Sequence, residues 1–261
     1  MKKTTCLFLG FLLLSAGLSP YGKSDKTPKL ECKKLALMLA KAFEERDAKT
    51  LSELTGELAS EEEVAQFKAQ MDMADEQGLL APWLEGMRAF PEISDMPDWV
   101  THATIEYEYF DGKQAVEFDA EFLVVDGSWQ VKQFTPDGRG EFVSEGDKER
   151  FLNNSLPAAE GQNTVDPGIN DVIAKLAKAL MEDDRKTFKA LTGFKGVSEY
   201  WDNKARNVQL LSEFPKIGPM PAPLHSLKIE LEEAADDEET SISVEFRWRE
   251  KKLDFGYLEL I

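Results

Sequence analysis

An α+β protein built from two tandem units is predicted by three observations. The first is repetition. The segment that begins Leu39-Ala40-Lys41-Ala42 and ends Thr55-Gly56 recurs from Leu176 to Gly193, an offset of 137 positions, with 11 of 18 aligned residues identical. Phe90-Pro91-Glu92-Ile93 with Met96-Pro97 recurs as Phe214-Pro215-Lys216-Ile217 with Met220-Pro221, an offset of 124, so the first unit carries 13 extra residues between the matches. The second observation is an apolar period of three to four residues in the first part of each unit. The third is a switch to a period of two in the last part. Each unit therefore reads as a helical N-terminal part followed by a three- to four-stranded antiparallel meander. The expected boundaries are 31–134 and 168–261, joined by a linker over 135–167.

Residues 1–17 read as a secretory signal: Lys2-Lys3 form the basic start, Cys6 to Leu14 the apolar core, and Ser15-Ala16-Gly17 a small-residue cleavage site. Cleavage after Gly17 is favoured over Ser19, which would leave Pro20 just beyond the cut. The apolar run is short for a membrane span, and an uncleaved anchor is the alternative. The expected location is the periplasm or the exterior of a bacterial cell. Residues 18–30, with Pro20, Gly22, Ser24, Asp25 and Pro28, read as a flexible lead-in.

In the first unit Leu35, Met38, Leu39, Ala42 and Phe43 mark one buried helical stripe, matched by Val172, Leu176, Ala179 and Leu180 in the second. Asn170 or Asp171 is the expected N-cap of that second helix. Asp47 and Asp184 fall where the first helix ends and a short one begins, so each reads as a local cap. Gly56 and Gly193 then read as C-terminal caps. Ser60 followed by Glu61-Glu62-Glu63 suits the positive end of a further helix. The extra residues of the first unit are expected around Gln77–Met87. Ile105, Tyr107 and Tyr109 start the first strand, and Asp111-Gly112 turns the chain. Val116, Phe118, Ala120, Phe122 and Val124 form the middle strand, and Asp126-Gly127 leads into Trp129, Val131 and Phe134. The second meander follows with Ile229 and Leu231, then Ile242, Val244, Phe246 and Trp248, then Leu253, Phe255 and Tyr257. In the linker, Phe142, Phe151 and Leu152 are the apolar anchors, with a short helix expected near Lys148–Asn153.

The sequence from Asp47 through the short apolar helix to the hairpin Asp126-Gly127-Ser128-Trp129-Gln130-Val131 resembles small bacterial domains of the nuclear-transport-factor-2-like (cystatin-like) superfamily. The resemblance covers 31–134, and reaches 168–261 only through the internal repeat. Lys251-Lys252-Leu253 departs from the Asp-Gly-x-Trp pattern. The resemblance implies a curved sheet cradling helices and, because that fold hosts enzymes, binders and assembly modules, no single function.

Composition narrows the function classes. The chain of 261 residues has 31 Lys and Arg against 49 Asp and Glu, a formal charge of −18. That balance disfavours nucleic acid and anionic lipid as partners. Of 2 cysteines, Cys6 lies in the signal, so the mature chain holds one thiol, Cys32, and no internal disulfide. No metal or cofactor is expected: two separated histidines and one cysteine cannot make a structural zinc set. The acidic run from Glu230 through Glu239 lacks EF-hand spacing. Nucleophile elbows and phosphate loops are absent. In the alternative reading, a pocket enzyme acting on a small apolar substrate, the general base is a carboxylate or His102, the latter with Glu106 or Asp119. Tyr107, Tyr109, Trp129, Trp248 and Tyr257 are candidates either to line a concavity or to pack. The favoured reading is an exported, non-enzymatic binding or assembly protein, with an unknown protein or a small apolar ligand as partner, and with oligomers allowed. Its binding residues are expected in the segment where the two units differ: Leu79, Leu80 and Trp83.

Overall fold

The computed structural model describes residues 29–261, apart from 57–59, 79, 139–141, 143 and 234–239. The predicted signal and most of the lead-in lie outside the described residues, as do Leu79 and the tip of the acidic run. In chain order the first part comprises α1 (Cys32–Glu45), α2 (Ala48–Thr55), α3 (Glu61–Glu76), α4 (Leu80–Ala89), β1 (Ile93–Ser94), β2 (His102–Phe110), β3 (Ala115–Val125) and β4 (Ser128–Gly138). The connection holds α5 (Glu145–Asn153) and β5 (Thr164–Val165). The second part comprises α6 (Ile169–Met181), α7 (Arg185–Thr192), α8 (Glu199–Asp202), α9 (Lys204–Ser212), β6 (Lys216–Ile217), β7 (Met220–Pro221), β8 (Leu224–Glu233), β9 (Thr240–Arg249) and β10 (Lys252–Leu260).

The six long strands make one antiparallel sheet in the order β10-β9-β8-β2-β3-β4. Each half contributes a three-stranded meander, and the halves meet where β2 pairs with β8. The register at this seam is orderly. Ile105 lies opposite Ile229, and Ala103 and Tyr107 lie opposite Leu231 and Leu227. Away from the sheet, β1 pairs with β6, placing Ile93 opposite Ile217. Both isoleucine pairs are 124 residues apart, the offset of the Phe-Pro-x-Ile segments. Those segments are therefore partners of one another: Gly218 N–H donates to Glu92 O at 2.8 Å, and Lys216 Nζ lies 2.7 Å from Asp95.

Alternation along the strands sends one set of side chains to a face covered by helices. Ile105, Phe118, Ala120, Phe122, Ile229, Val244 and Phe246 are all 0 % exposed there and belong to one core shared by both halves. A single core spanning both halves buries more surface per residue than two separate small domains would.

Local signals explain the helix ends. Asp47 accepts from the Lys49 and Thr50 N–H groups, and Asp184 from the Thr187 N–H. Gly56 and Gly193 take left-handed backbone at the following C-caps, with φ of 72° in both. Ser60 and Glu63 form a reciprocal capping box that starts α3.

Several expectations are corrected. In α1 the buried stripe runs through Cys32, Ala36, Leu39, Ala40 and Phe43, while Met38 is 40 % exposed. Met38 precedes Leu39 by one residue, about 100° around the helix, and so faces outward. Asn170 does not cap α6, whose N-cap is Gly168. Its amide instead clamps the backbone of Ile217, donating to the carbonyl at 2.8 Å and accepting from the N–H at 2.9 Å. The 13 extra residues do not lie at Gln77–Met87. α4 and α9 begin 124 residues apart, as the strands do, so the length difference precedes them. The first half has the 16-residue α3 where the second has the 4-residue α8.

Candidate functional site

Of the residues expected to bind, Leu80 is only 3 % exposed and packs in the core. Its side chain offers no surface to a partner. Trp83 is half-buried, its ring 4.4 Å from that of Phe43. Leu79 lies outside the described residues.

The space between helices and sheet is occupied by side chains. Phe90, fixed after α4 by Pro91, meets Tyr107, Phe118, Phe122 and Phe134, with ring centroids 5.0 to 6.2 Å apart. Tyr107 stacks on Phe118 at 5.2 Å. Its hydroxyl is the one buried side-chain polar atom without a hydrogen-bond partner among the described residues, and burial pushes its ionisation well up. Cys32 is fully buried, which likewise raises its thiol pKa and makes it an inert apolar residue. In the second half Trp248, Phe246 and Phe255 fill the corresponding space. One sequence-predicted aromatic is displaced by a bulge, and another lies at the edge of the core. Tyr257 follows a register shift after Phe255, is 43 % exposed, and donates to Glu259. Tyr109 stays on the face of Tyr107, its ring 5.9 Å from that of Tyr107, and is half-buried against the core.

The opposite face of the sheet carries polar side chains. His102 sits at one end of it, at the start of β2. Its Nδ1 is 2.8 Å from Glu232 of β8 and its Nε2 3.0 Å from Glu121 of β3. The carboxylates proposed from sequence, Glu106 and Asp119, are not its partners. Toward the middle, Lys228 lies 3.2 Å from Glu106 and 3.1 Å from Glu230. Arg247 pairs with Glu245 at 2.7 Å.

Near the other end is a shallow concavity of about 270 Å³, lined by Glu106, Glu108, Glu117, His225, Ser226, Lys228, Glu245 and Arg247. The His225 ring stacks on Phe151 of α5 at 4.4 Å, so the connecting helix flanks this end of the face. A second, open concavity of about 560 Å³ lies between α5 and the β9–β10 turn, lined by Glu149, Arg150, Asn154, Glu250 and Lys251 among others. Both concavities are lined chiefly by polar and charged side chains.

Chemically, this face presents ionisable groups already engaged with one another. A doubly protonated His102 uses both N–H groups on carboxylates and has no lone pair left to accept a substrate proton. Among the described residues, no group of three or more His, Cys, Asp or Glu is arranged to hold a metal ion. No helix among them is long and apolar enough to cross a membrane.

The sequence could have marked this face through its period-two carboxylates: Glu106 and Glu108, then Glu117, Asp119 and Glu121. That Glu121 and Glu232 are the partners of His102 had no such signal, because they lie across strands whose pairing no local pattern states. Comparison with protein-family models, with curated proteins and with solved structures finds no match to this chain.

Proposed function

We propose that this chain is an exported, non-enzymatic binding or assembly protein that engages its partner through the open polar face of its sheet. The observation that carries the reading is the contrast between the two faces. The helix-covered face is filled by buried side chains such as Phe90, Phe118, Phe122 and Phe246, leaving their rings no room to receive a small apolar substrate. The other face is broad, continuous over six strands, and its polar side chains are mostly half-buried. Polar surfaces of this kind suit a macromolecular partner more than a drug-sized apolar ligand.

We further read the two halves as a duplicated unit, each resembling a nuclear-transport-factor-2-like domain reduced to three long strands. The shared offset of 124 in Ile93/Ile217 and Ile105/Ile229 supports duplication: related residues meet at the seam, as in a two-fold dimer joined into one chain. The amino-terminal pattern supports export, with a periplasmic or extracellular destination.

The experiment is site-specific photo-crosslinking in the native envelope. Probes at Thr104 and Ser243 on the open face should capture a discrete protein, whereas a probe at the exposed helix position Lys175 should not. Saturable uptake of a fatty acid or an apolar dye by the folded protein, with no face-specific crosslink, would assign the function to the helix–sheet interior instead.

A further inference from the structure

The backbone register repeats on both sides of the seam, but its polar side-chain pairs do not. Glu106 meets Lys228, yet the position related by the 124-residue offset sets Thr104 opposite Glu230. His102 meets Glu232, while the related position sets Glu108 opposite Ser226. His102 is thus a feature of one end of the seam only. It also reaches Glu121, so one imidazole ties three adjacent strands, β3, β2 and β8, across the junction of the two halves.

We propose that His102 is a proton-dependent staple that locks this end of the seam when both ring nitrogens carry a proton. The geometry requires it. A neutral imidazole has one N–H and one lone pair, so one of the two carboxylates, at 2.8 or 3.0 Å, would face a lone pair. Turning the ring over does not help, because each nitrogen already faces a carboxylate. Only the imidazolium satisfies both partners, with charge-assisted hydrogen bonds.

The surrounding groups support the same charge state. β3 presents Glu121, with Leu123 directly opposite His102; β8 presents Glu232, with Glu230 the next residue on that face. β9 sets Ser241 opposite Glu232, β4 sets Gln133 opposite Glu121, and Thr104 is the next residue of β2 on this face. Among the described residues, Lys132 of β4 also bears on Glu121, and Lys228 pairs with Glu230 at 3.1 Å. The hydrogen bond to Glu121, opposed by burial and reinforced by the one to Glu232, raises the His102 pKa; the same contact lowers that of Glu121.

The sign follows from the two shifts. The histidine contribution is full below the unfolded-state value, about 6.5, and is lost as pH rises through the raised folded value. The Glu121 contribution is present above its unfolded value and is lost as pH falls through the lowered folded one. The staple therefore holds between the lowered Glu121 midpoint and the raised His102 midpoint, and releases on the alkaline side of the latter. The Thr101 amide, which donates to Glu232 O at 2.9 Å beside the staple, reports its state. This device does not depend on what the open face binds.

The test is a long-range proton–nitrogen titration of the full chain, labelled at histidine, together with amide protection of Thr101 in the wild type, His102→Gln and Glu232→Gln. The expected result is a His102 ring with both nitrogens protonated below its midpoint, and a midpoint above about 6.5. Thr101 protection should fall roughly fivefold above that midpoint in the wild type, and to a similar degree at all pH values in His102→Gln. Glu232→Gln should lower the ring midpoint. A midpoint at or below the ordinary value, or Thr101 protection indifferent to His102→Gln, overturns the proposal. Should His102→Gln fail to fold, the wild-type titration still decides.

Discussion

The two halves of this molecule share a backbone plan and differ in what they attach to it. Each places a short helix capped by aspartate and closed by glycine, Asp47 with Gly56 and Asp184 with Gly193, beneath a three-stranded meander. Each also sends a Phe-Pro-x-Ile segment to pair with its counterpart. The differences lie in how that plan is held. The first half packs its meander around an aromatic knot at Phe90 and carries the long α3, tied to Arg46 through Asp72 and Asp75. The second places Phe214 at the corresponding position, 8 % exposed, and spans the α3 interval with the short α8. Similar residues thus mark the contact between halves, and dissimilar ones mark where the halves differ. Function is better sought on the divergent, outward positions than in the repeated ones.

Substitutions can break or sharpen this comparison. The largest effect is expected at the aromatic knot. Phe90→Ala should lower unfolding stability by about 3–5 kcal/mol, because a fully buried ring leaves a cavity among packed neighbours. Phe214→Ala should cost less, since that core ring keeps 8 % exposure where Phe90 keeps none. Denaturant titration of both variants measures the difference, and equal losses would show that the halves are packed alike.

Next comes the tie between helix and crossing segment. Asn170→Ala removes two hydrogen bonds to Ile217 and should cost about 2 kcal/mol. At the related position, Lys33 instead donates its ammonium to the carbonyls of Arg88 and Phe90. Lys33→Ala should cost about 1 kcal/mol, because water can reach the more exposed carbonyl. A reversed order in thermal melts would mean that the lysine, not the asparagine, is the firmer clamp.

The smallest difference should separate the two caps. Asp47→Ala and Asp184→Ala should each lower stability modestly and to a similar degree, since both lose the same kind of contact at a helix start. Both carboxyls sit below the ordinary aspartate range, held there first by hydrogen bonds from Thr50 and Thr187. Their contributions are therefore present above the unfolded pKa and fade as pH falls through the folded values. Unequal losses in melts at neutral pH would reveal tertiary roles beyond capping.

Much of the fold was legible because the signals are local. Alternation located the six long strands, Asp-Gly pairs located the hairpin turns in the first meander, and Asp and Gly located the ends of α2 and α7. What escaped was set by distant neighbours. No residue of β2 states that β8 is its partner, so the merging of two meanders into one sheet was invisible, although Ile105 and Ile229 were both recognised as core. The exposure of Met38 depends on which side of α1 meets the sheet, and the displacement of Tyr257 on a bulge at Gly256. Asn170 looked like a cap because asparagine at a helix start usually is one, and the nearby Ile217 backbone made a competing offer. Within the candidate site His102 drew notice as a rare residue, but its partners lie on strands that only the assembled sheet brings alongside.

The account rests on the halves forming one sheet and one core, and native-state hydrogen exchange at the seam tests that most directly. Amides of β2 and β8 around Ile105 and Ile229 should be among the slowest in the molecule, exchanging only with the free energy of global unfolding. That energy should match the one from a single denaturant transition seen by tryptophans of both halves, Trp129 and Trp248. Seam amides that exchange well before the inner amides of β3 and β9, or two separate transitions for the two tryptophans, would contradict a shared core and describe two domains resting side by side.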